Sequence, residues 1–290
     1  MYCFVDTYND ALNFIGGIDS STCKNILDAY NSLDNILELY KLNKEVRTSL
    51  NELVCWSSEV SSSSNYLMRN LYTAEKLTRD FLFKFRTCLD HAETLIKQSY
   101  GNSSDTWNLF KEKTKSVYDA HSEYAFTYHL RNVSQHCQNI VHGFNGSTSI
   151  GISSNVQKLL DEYDSWKRVD KEFMTSSGSD IDLLNTFSIA SSSLDYVFGS
   201  VLEYLLNSNA FGEKLAYVHN WGTSLSNQFH HDIHCYHIYH LTLQNGDEAE
   251  GLTTPDVNLD AYLIDWDAIY SLSDSVSTLS SDNNPSGVVQ

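Results

Sequence analysis

The chain contains 290 residues, has a mass of 32.9 kDa and carries a formal net charge of −18 at pH 7. A chain of this length buries a substantial core, either as one large domain or as two smaller ones. The acidic excess argues against a uniformly basic surface for nucleic acid, because such surfaces use Lys and Arg to replace counterions. Proline occurs only at Pro255 and Pro285, and the absence of proline from residues 1–254 favours uninterrupted helices. We therefore predict an all-α fold.

Six cysteines are scattered along the chain without a Cys-x-x-Cys pair. We expect reduced thiols of a cytoplasmic protein rather than a disulfide framework or a zinc ribbon. Residues 1–17 lack a basic segment followed by an apolar one, and nowhere do about 18 apolar residues follow one another. Neither secretion nor a membrane-spanning helix is expected.

The first helical pattern covers Ser20–Trp56, where apolar residues recur at three- and four-residue steps. These residues fall into one group that ends at Tyr40 and another that starts at Val46, so the pattern predicts two amphipathic helices. Serine-rich residues 57–65 indicate a connection to the next helix.

The clearest pattern is one apolar stripe over Leu67–Ile96, with Gly101 just beyond its end. It predicts a single long helix that stops at the glycine. Ser103 or Ser104 is suited to cap the N-terminus of a further helix.

A change of apolar register at residues 119–122 predicts a bend or break, after which a second stripe continues as a helix to Val141. Glycines separated by Ser and Thr over residues 143–151 indicate a loop. Helical spacing returns in residues 156–173 and 181–218, and these helices are expected to complete a bundle.

We predict a single helical domain for residues 1–245, with its central bundle at about residues 60–220 and additional helices towards both ends. Residues 246–290 form an acidic region, because nine Asp and Glu occur from Asp247 onward without any Lys or Arg. We expect the last 15 or so residues to be disordered. A short helix before them would dock through apolar residues, namely Tyr262, Leu263, Trp266 and Tyr270.

The chain is least acidic between Tyr66 and His142, where it contains ten Lys and Arg and eight Asp and Glu. Because the whole chain carries −18, this balance of +2 leaves −20 for the remainder. The stretch is either a weak basic footprint for RNA or an ordinary solvated helical surface, and both interpretations stay open.

This stretch contains Arg131–His136, with the sequence RNVSQH. Arginine stays protonated and can clamp phosphate oxygens, whereas histidine takes and returns a proton near neutrality. On an α-helix Arg131 and His136 point about 140° apart, while Asn132 lies within about 40° of His136. A site with both residues therefore requires the arginine to reach round, the helix to end between them, or a second copy of the chain.

Two fragments resemble a known family: TYHLRNVSQHCQ at residues 127–138 and FRTCLDHAETLIKQSYG at residues 85–101. The former closely resembles the motif of the HEPN superfamily, in which Arg and a polar residue precede His by a short variable spacer. The latter is similar to the corresponding segment of an uncharacterised bacterial HEPN group. The resemblance covers about residues 66–140.

The resemblance implies a helical bundle that dimerises, so that two motifs meet as an endoribonuclease that needs neither metal nor cofactor. Arg131 would hold the scissile phosphate, Asn132 would orient the motif and His136 would act as general base or acid. Attack by the neighbouring 2′-hydroxyl would restrict cleavage to RNA. The implied role is that of a toxin or a phage-defence protein, with an antitoxin or another protein of a defence system as partner.

One departure from the pattern follows His136, where no Gly or Pro turn occurs and the helix is expected to continue. Many members of the superfamily are not catalytic, so a helical module that binds RNA or a protein partner is the alternative function.

The same spacing of Arg and His occurs at Arg86 and His91. Arg86 and Asp90 are four residues apart, which predicts a surface ion pair worth about 0.3–0.5 kcal/mol. The functional alternative is that Arg86 or His91 faces the helix of Arg131 and contacts the substrate phosphate.

Residues 229–240 contain five of the 11 histidines. On a helix, His230, His234 and His237 would share a face with a workable metal spacing, whereas on a strand His240 would replace His237. The secondary structure stays open between the two. We prefer ordinary polar and aromatic packing, predict no metal, and keep a metal-dependent function as a third hypothesis.

Overall fold

The computed structural model describes residues 2–6, 13–60, 67–136, 139–145, 151–208, 211–229, 236–243, 257–262 and 264–282. The chain divides into two compact units, one formed by Glu38–Tyr204 and the other by Met1–Leu37 together with Leu205–Gln290. The predicted domain boundary near residue 245 lies outside the described residues.

Nine helices lie within the described ranges: α1 Ser20–Val60, α2 Leu67–Tyr100, α3 Asp105–Ala120, α4 Ser122–His136, α5 Val156–Glu162, α6 Arg168–Ser176, α7 Leu183–Ser208, α8 Phe211–Phe229 and α9 Trp266–Asp282. Seven strands accompany them: β1 Tyr2–Asp6, β2 Asn13–Ile18, β3 Gly143–Asn145, β4 Gly151–Asn155, β5 Asp180–Asp182, β6 Tyr236–Leu243 and β7 Val257–Tyr262. The predicted all-α class is confirmed, with two small sheets added to it. No helix in the described part of the chain is long and apolar enough to cross a membrane.

Helix α1 corrects the prediction of two helices over Ser20–Trp56, because it runs without a break for 41 residues. The polar residues between the two apolar groups remain helical. Among them Asn43 donates a hydrogen bond of 2.8 Å to Asp195 on α7, and Arg47, just after Val46, pairs with the same carboxylate at 3.3 Å. Leu42 is also buried between Leu39 and Val46, so the apolar stripe continues through the segment and the helix stays unbroken.

The predicted helix over Leu67–Ile96 is confirmed as α2, and Gly101 follows it with a φ of +95°, which favours glycine. The hydroxyl of Ser104 accepts a hydrogen bond of 3.1 Å from the backbone of Trp107 and caps α3. The predicted break is also confirmed, since extended backbone at His121 separates α3 from α4.

Aromatic side chains fill the core of the unit Glu38–Tyr204. Phe81 and Phe187 pack at 4.6 Å between ring centroids, and Phe85 meets Tyr124 edge-on at 5.4 Å. These side chains belong to α2, α7 and α4 and are fully buried. Their burial fixes α4 against α2 by its apolar face.

Within the predicted loop at residues 143–151, the described residues 143–145 and 151 instead belong to an antiparallel sheet in the order β3-β4-β5, and residues 146–150 lie outside the described ranges. A Cβ on Gly143 would lie 3.1 Å from the Ser153 hydroxyl, so the close approach of β3 and β4 favours glycine there. Beyond the sheet, the predicted helical region 156–173 is interrupted between α5 and α6. The Asp170 carboxylate accepts a hydrogen bond from the backbone of Lys167 and caps α6.

The second unit contains an antiparallel sheet in the order β2-β1-β6-β7. In this unit α8 and α9 pack through Trp221 and Trp266, whose rings stack at 5.9 Å. The predicted docking helix is confirmed as α9 for Trp266 and Tyr270, whereas Tyr262 belongs to β7; α9 extends to Asp282 and so occupies part of the region expected to be disordered. Residues 283–290 and Leu263 lie outside the described residues.

Candidate functional site

Helix α4 carries the sequence motif on its last two turns. Leu130, Val133 and Ser134 are buried, whereas Asn132 and His136 are exposed and Arg131 is partly exposed. The polar motif residues therefore lie on the solvent side of a helix that is held by its apolar side. The helix ends at His136, which corrects the expectation that it continues to Val141.

The Arg131 guanidinium donates a hydrogen bond of 2.9 Å to the side-chain carbonyl of Gln135, one turn along α4. Within the described ranges no carboxylate lies within ion-pair distance of it. Its charge is consequently available to a phosphate without the cost of breaking an internal ion pair.

The ring of His136 lies nearly parallel to the ring of Tyr163, with 6.3 Å between centroids and 14° between planes. Tyr163 ends α5 and is partly buried. This contact orients an imidazole that remains open to solvent, which suits an exchange of protons with a substrate.

A pair of charged residues on α2, which sequence reasoning missed, fixes the chain on both sides of His136. Arg79 donates a hydrogen bond to the carbonyl oxygen of Ser134, near the end of α4. Glu75 accepts hydrogen bonds from the backbone N–H groups of Ile140 and Val141 at 2.9 and 2.7 Å. The two residues also pair with each other at 2.6 Å. The spacing of four residues between Glu75 and Arg79 indicates an ion pair on α2. It does not reveal that both side chains also bond to the backbone near His136.

The second Arg and His pair occupies α2 beside α4. The predicted ion pair between Arg86 and Asp90 is present at 3.0 Å. The Arg86 guanidinium also lies over the ring of Tyr128, 4.1 Å from its centroid, and so contacts the motif helix one turn before Arg131. His91 is exposed on α2.

His142 follows the motif and joins it to the sheet. Its Nδ1 accepts a hydrogen bond of 3.1 Å from the backbone N–H of Asn155, so this nitrogen carries no proton. Burial, followed by the nearby Lys158 charge, lowers the pKa of His142 below its ordinary value. The neutral ring is therefore the form that suits this position.

A buried carboxylate on α6 also contacts a histidine on α4. Asp170 is fully buried, and one of its oxygens lies 2.9 Å from Nδ1 of His129. Because Asp170 also accepts the backbone hydrogen bond of Lys167, its carboxylate is held as an acceptor. We assign the Nδ1 proton of His129 to this bond, which fixes the ring. The sequence gives no periodic signal for the pair, since the two residues lie 41 positions apart.

A cavity of about 490 Å³ opens beside His129. Helices α2, α3 and α4 line it with mainly aromatic side chains: Glu93, Trp107, Phe110, Lys111, Thr114, Lys115, Tyr118, Tyr124, Tyr128 and His129. It shares α4 with the motif but none of the motif residues lines it.

The histidine-rich stretch lies partly outside the described residues, which exclude His230, His231 and His234. His237 and His240 belong to β6, so for these two residues the strand alternative is confirmed and the helical alternative is wrong. In the described part of the chain no three His, Cys, Asp or Glu residues are grouped closely enough to hold a metal ion.

No protein-family model, curated protein or solved structure matches this chain. The resemblance to the HEPN superfamily therefore stays a prediction, carried by the residues of two fragments.

Proposed function

We propose that this chain is a metal-independent endoribonuclease of HEPN type that acts on RNA as a homodimer. Arg131, Asn132 and His136 are its catalytic residues, and the 2′-hydroxyl next to the scissile phosphate is the nucleophile. A cytoplasmic role as a toxin or in phage defence, with an antitoxin or a defence-system protein as partner, belongs to the same proposal.

The environment of Arg131 gives this proposal its strongest support. Its guanidinium bonds to the neutral Gln135 side chain, and no carboxylate in the described part of the chain neutralises it. An incoming phosphate would gain a charge-assisted, bidentate contact and would displace only a neutral hydrogen bond. This exchange favours an anion over the resting contact.

The positions of Asn132 and His136 support proton transfer at the same surface. Both are exposed on the last two turns of α4, and Tyr163 orients the imidazole without burying it. A positioned general acid or base contributes about 10² to 10⁴ in rate, and oxyanion stabilisation by Arg131 contributes a similar factor. Together they are sufficient for a slow nuclease.

Helix geometry supports the homodimer in the proposal. Arg131 and His136 point about 140° apart on α4, so one copy presents both to a single phosphate only if the long arginine side chain reaches round the helix. A two-fold axis near the end of α4 would bring the arginine of one copy to the histidine of the other. Arg86 and His91, on α2 beside this helix, would then contact phosphates on either side of the scissile bond.

If the chain is monomeric, the angle between Arg131 and His136 on α4 favours the alternative function, a helical module that is not catalytic. In that case α4 would bind RNA or a protein partner through its exposed charges, and no bond would be broken. Cleavage assays with end-group analysis separate the two functions.

The test uses labelled single-stranded and structured RNA with the wild type, Arg131→Ala and His136→Ala, all in EDTA. We expect the wild type to leave 2′,3′-cyclic phosphate ends, and each variant to lose about 10²-fold or more in rate. Exposed residues of the same unit supply matched controls, His121→Ala and Arg168→Ala, which should retain activity.

Absence of cleavage by the wild type, or equal cleavage by wild type and His136→Ala, refutes the nuclease. Binding without cleavage that weakens in Arg131→Ala identifies the module instead. Activity that EDTA abolishes points to the metal-dependent alternative.

A further inference from the structure

The aromatic cavity between α3 and α4 has the size and lining of a small-molecule site. Its volume of about 490 Å³ falls within the range of ligand pockets. On the α3 side, the rings of Trp107 and Phe110 stack at 5.9 Å between centroids. On the α4 side, Tyr128 and His129 meet edge-on at 5.4 Å. Such walls suit a flat aromatic ring.

Two hydroxyl groups of the lining distinguish this cavity from a simple gap in packing. The hydroxyl oxygens of Thr114 and Tyr124 are buried, and neither has a hydrogen-bond partner. Tyr124 is completely buried, and its burial raises the pKa of the phenol, which therefore stays protonated and able to donate. Buried polar groups without partners are rare in folded proteins, because each costs free energy that a ligand atom would recover.

The charged side chains at the rim of the cavity favour an anionic ligand. Lys111 and Lys115 are exposed on consecutive turns of α3, and Lys97 lies 4.4 Å from the centre of the Trp107 ring. The one lining carboxylate, Glu93, is paired with Lys97. The rim is thus cationic, and its lysines oppose a positively charged ligand that aromatic rings alone would attract.

His129 contributes a fixed ring to the same wall. Its Nδ1 faces the buried carboxylate of Asp170 at 2.9 Å, which leaves Nε2 as the ring atom available to a ligand. A fixed imidazole beside Tyr118, whose ring it meets at 5.9 Å, gives the cavity a rigid polar edge.

We propose that this cavity binds a planar aromatic carboxylate. The ring system lies between the aromatic side chains of α3 and α4, and a polar ring substituent bonds to Thr114 or Tyr124. The carboxylate remains at the rim with Lys111 and Lys115. This site is separate from the motif of α4, and the proposal stands whether or not the chain cleaves RNA.

Calorimetric titration of the full chain with naphthoate tests the proposal, with three matched probes. Naphthamide keeps the ring and removes the charge, cyclohexanecarboxylate keeps the charge and removes the aromatic ring, and naphthylmethylammonium reverses the charge. We expect naphthoate to bind at least about ten-fold more tightly than each of the others, since the charge-assisted contact and the burial of the aromatic ring system are each worth about that factor.

Lysine substitutions on α3 test whether naphthoate binds in this cavity. The double substitution of Lys111→Met and Lys115→Met keeps the aliphatic stems, and should weaken naphthoate about ten-fold without changing naphthamide. Lys113→Met is the control, because Lys113 lies on the same helix but bonds to Tyr196 outside the cavity.

Tyr124→Phe and Thr114→Val separate binding from folding. A hydroxynaphthoate, whose hydroxyl supplies a partner inside the cavity, should lose about five-fold in affinity to the variant that lacks this partner, and equal affinity for the wild type and both variants contradicts the hydroxyl contact. Their melting temperatures should stay equal to or above that of the wild type, because each substitution removes a buried polar atom without a partner. A structural role alone would lower the melting temperature.

Equal affinity for naphthoate and naphthamide, or no naphthoate binding at millimolar concentration, overturns the proposal. So does a double lysine variant that binds naphthoate like the wild type.

Discussion

The carboxylate of Glu75 lies 2.7 Å from the backbone nitrogen of Val141 and accepts its hydrogen bond. Glu75 belongs to α2, whereas Val141 follows the motif helix by five residues. The same carboxylate bonds to Ile140 and to Arg79, which in turn bonds to the carbonyl of Ser134. One side chain of α2 therefore holds the chain after His136, and its partner holds the chain before it.

Substitution of Glu75 should destabilise the fold strongly. Glu75→Ala removes the acceptor of two backbone N–H groups and of Arg79, so we expect a loss of about 3 kcal/mol in the free energy of unfolding. Glu75→Gln retains one acceptor oxygen and should lose about 1 kcal/mol. Urea unfolding measures both, and Glu52→Ala, an exposed position of α1, serves as control. Equal stability of Glu75→Ala and the control contradicts the assignment.

His142 should make stability depend on pH. Burial and Lys158 lower its folded pKa, although Glu162, Glu75 and Asp180 act in the opposite direction. A lowered histidine pKa means that the unfolded chain binds the proton first. Its contribution is therefore present above the unfolded pKa of about 6.5 and is lost as pH falls through the folded pKa.

The measurement compares melting temperatures from about pH 7 to about pH 5, where histidine titrates. Wild type should lose more stability over this range than His142→Asn, whose amide oxygen replaces the Nδ1 acceptor without titrating. Parallel curves for the two proteins count against His142 as the source of the dependence.

His129 and Asp170 should be energetically coupled. Asp170→Ala leaves the His129 ring and the Lys167 N–H without their acceptor, and we expect it to cost about 3 kcal/mol. His129→Ala alone should cost less, and the double variant should cost less than the sum. The coupling energy from this cycle, measured by urea unfolding, should be about 1.5–3 kcal/mol. Strict additivity of the two losses would show that the bond contributes nothing.

Mixing two inactive variants should restore activity if the nuclease site is shared across a dimer. Heterodimers of Arg131→Ala and His136→Ala contain one site with both residues intact and one site with neither. Random exchange makes half of the dimers mixed, so about one quarter of wild-type cleavage should return. Native mass spectrometry confirms that heterodimers form. Heterodimers without activity would place both residues of a site in one copy.

Local signals were sufficient to predict the helices around the candidate site. The stripe over Leu67–Ile96 predicted α2, and Gly101 and Ser104 predicted where α2 ends and α3 begins. These features depend on side-chain periodicity and on hydrogen bonds within a few residues, which the sequence displays directly.

The predicted and observed elements differ where residues far apart in the sequence contact each other. In the unbroken helix α1, the side-chain amide N–H of Asn43 donates a hydrogen bond to Asp195, which lies 152 positions away. Strand β4 also pairs with β5, which lies about 30 residues beyond the predicted loop. Neither contact leaves a periodic signal, since each requires the chain to fold back on itself.

For the motif, the sequence alone determined the residue types and their spacing on a helix, and hence the divergence of Arg131 from His136. Tertiary structure decided where that helix ends and which groups its charges meet. Glu75 accepts hydrogen bonds from the backbone beyond His136, and the carboxylates of Glu75 and Asp90 on α2 pair with Arg79 and Arg86. The physical reason is that helix periodicity is local, whereas a helix end and an ion pair depend on which side chains packing brings within hydrogen-bond distance.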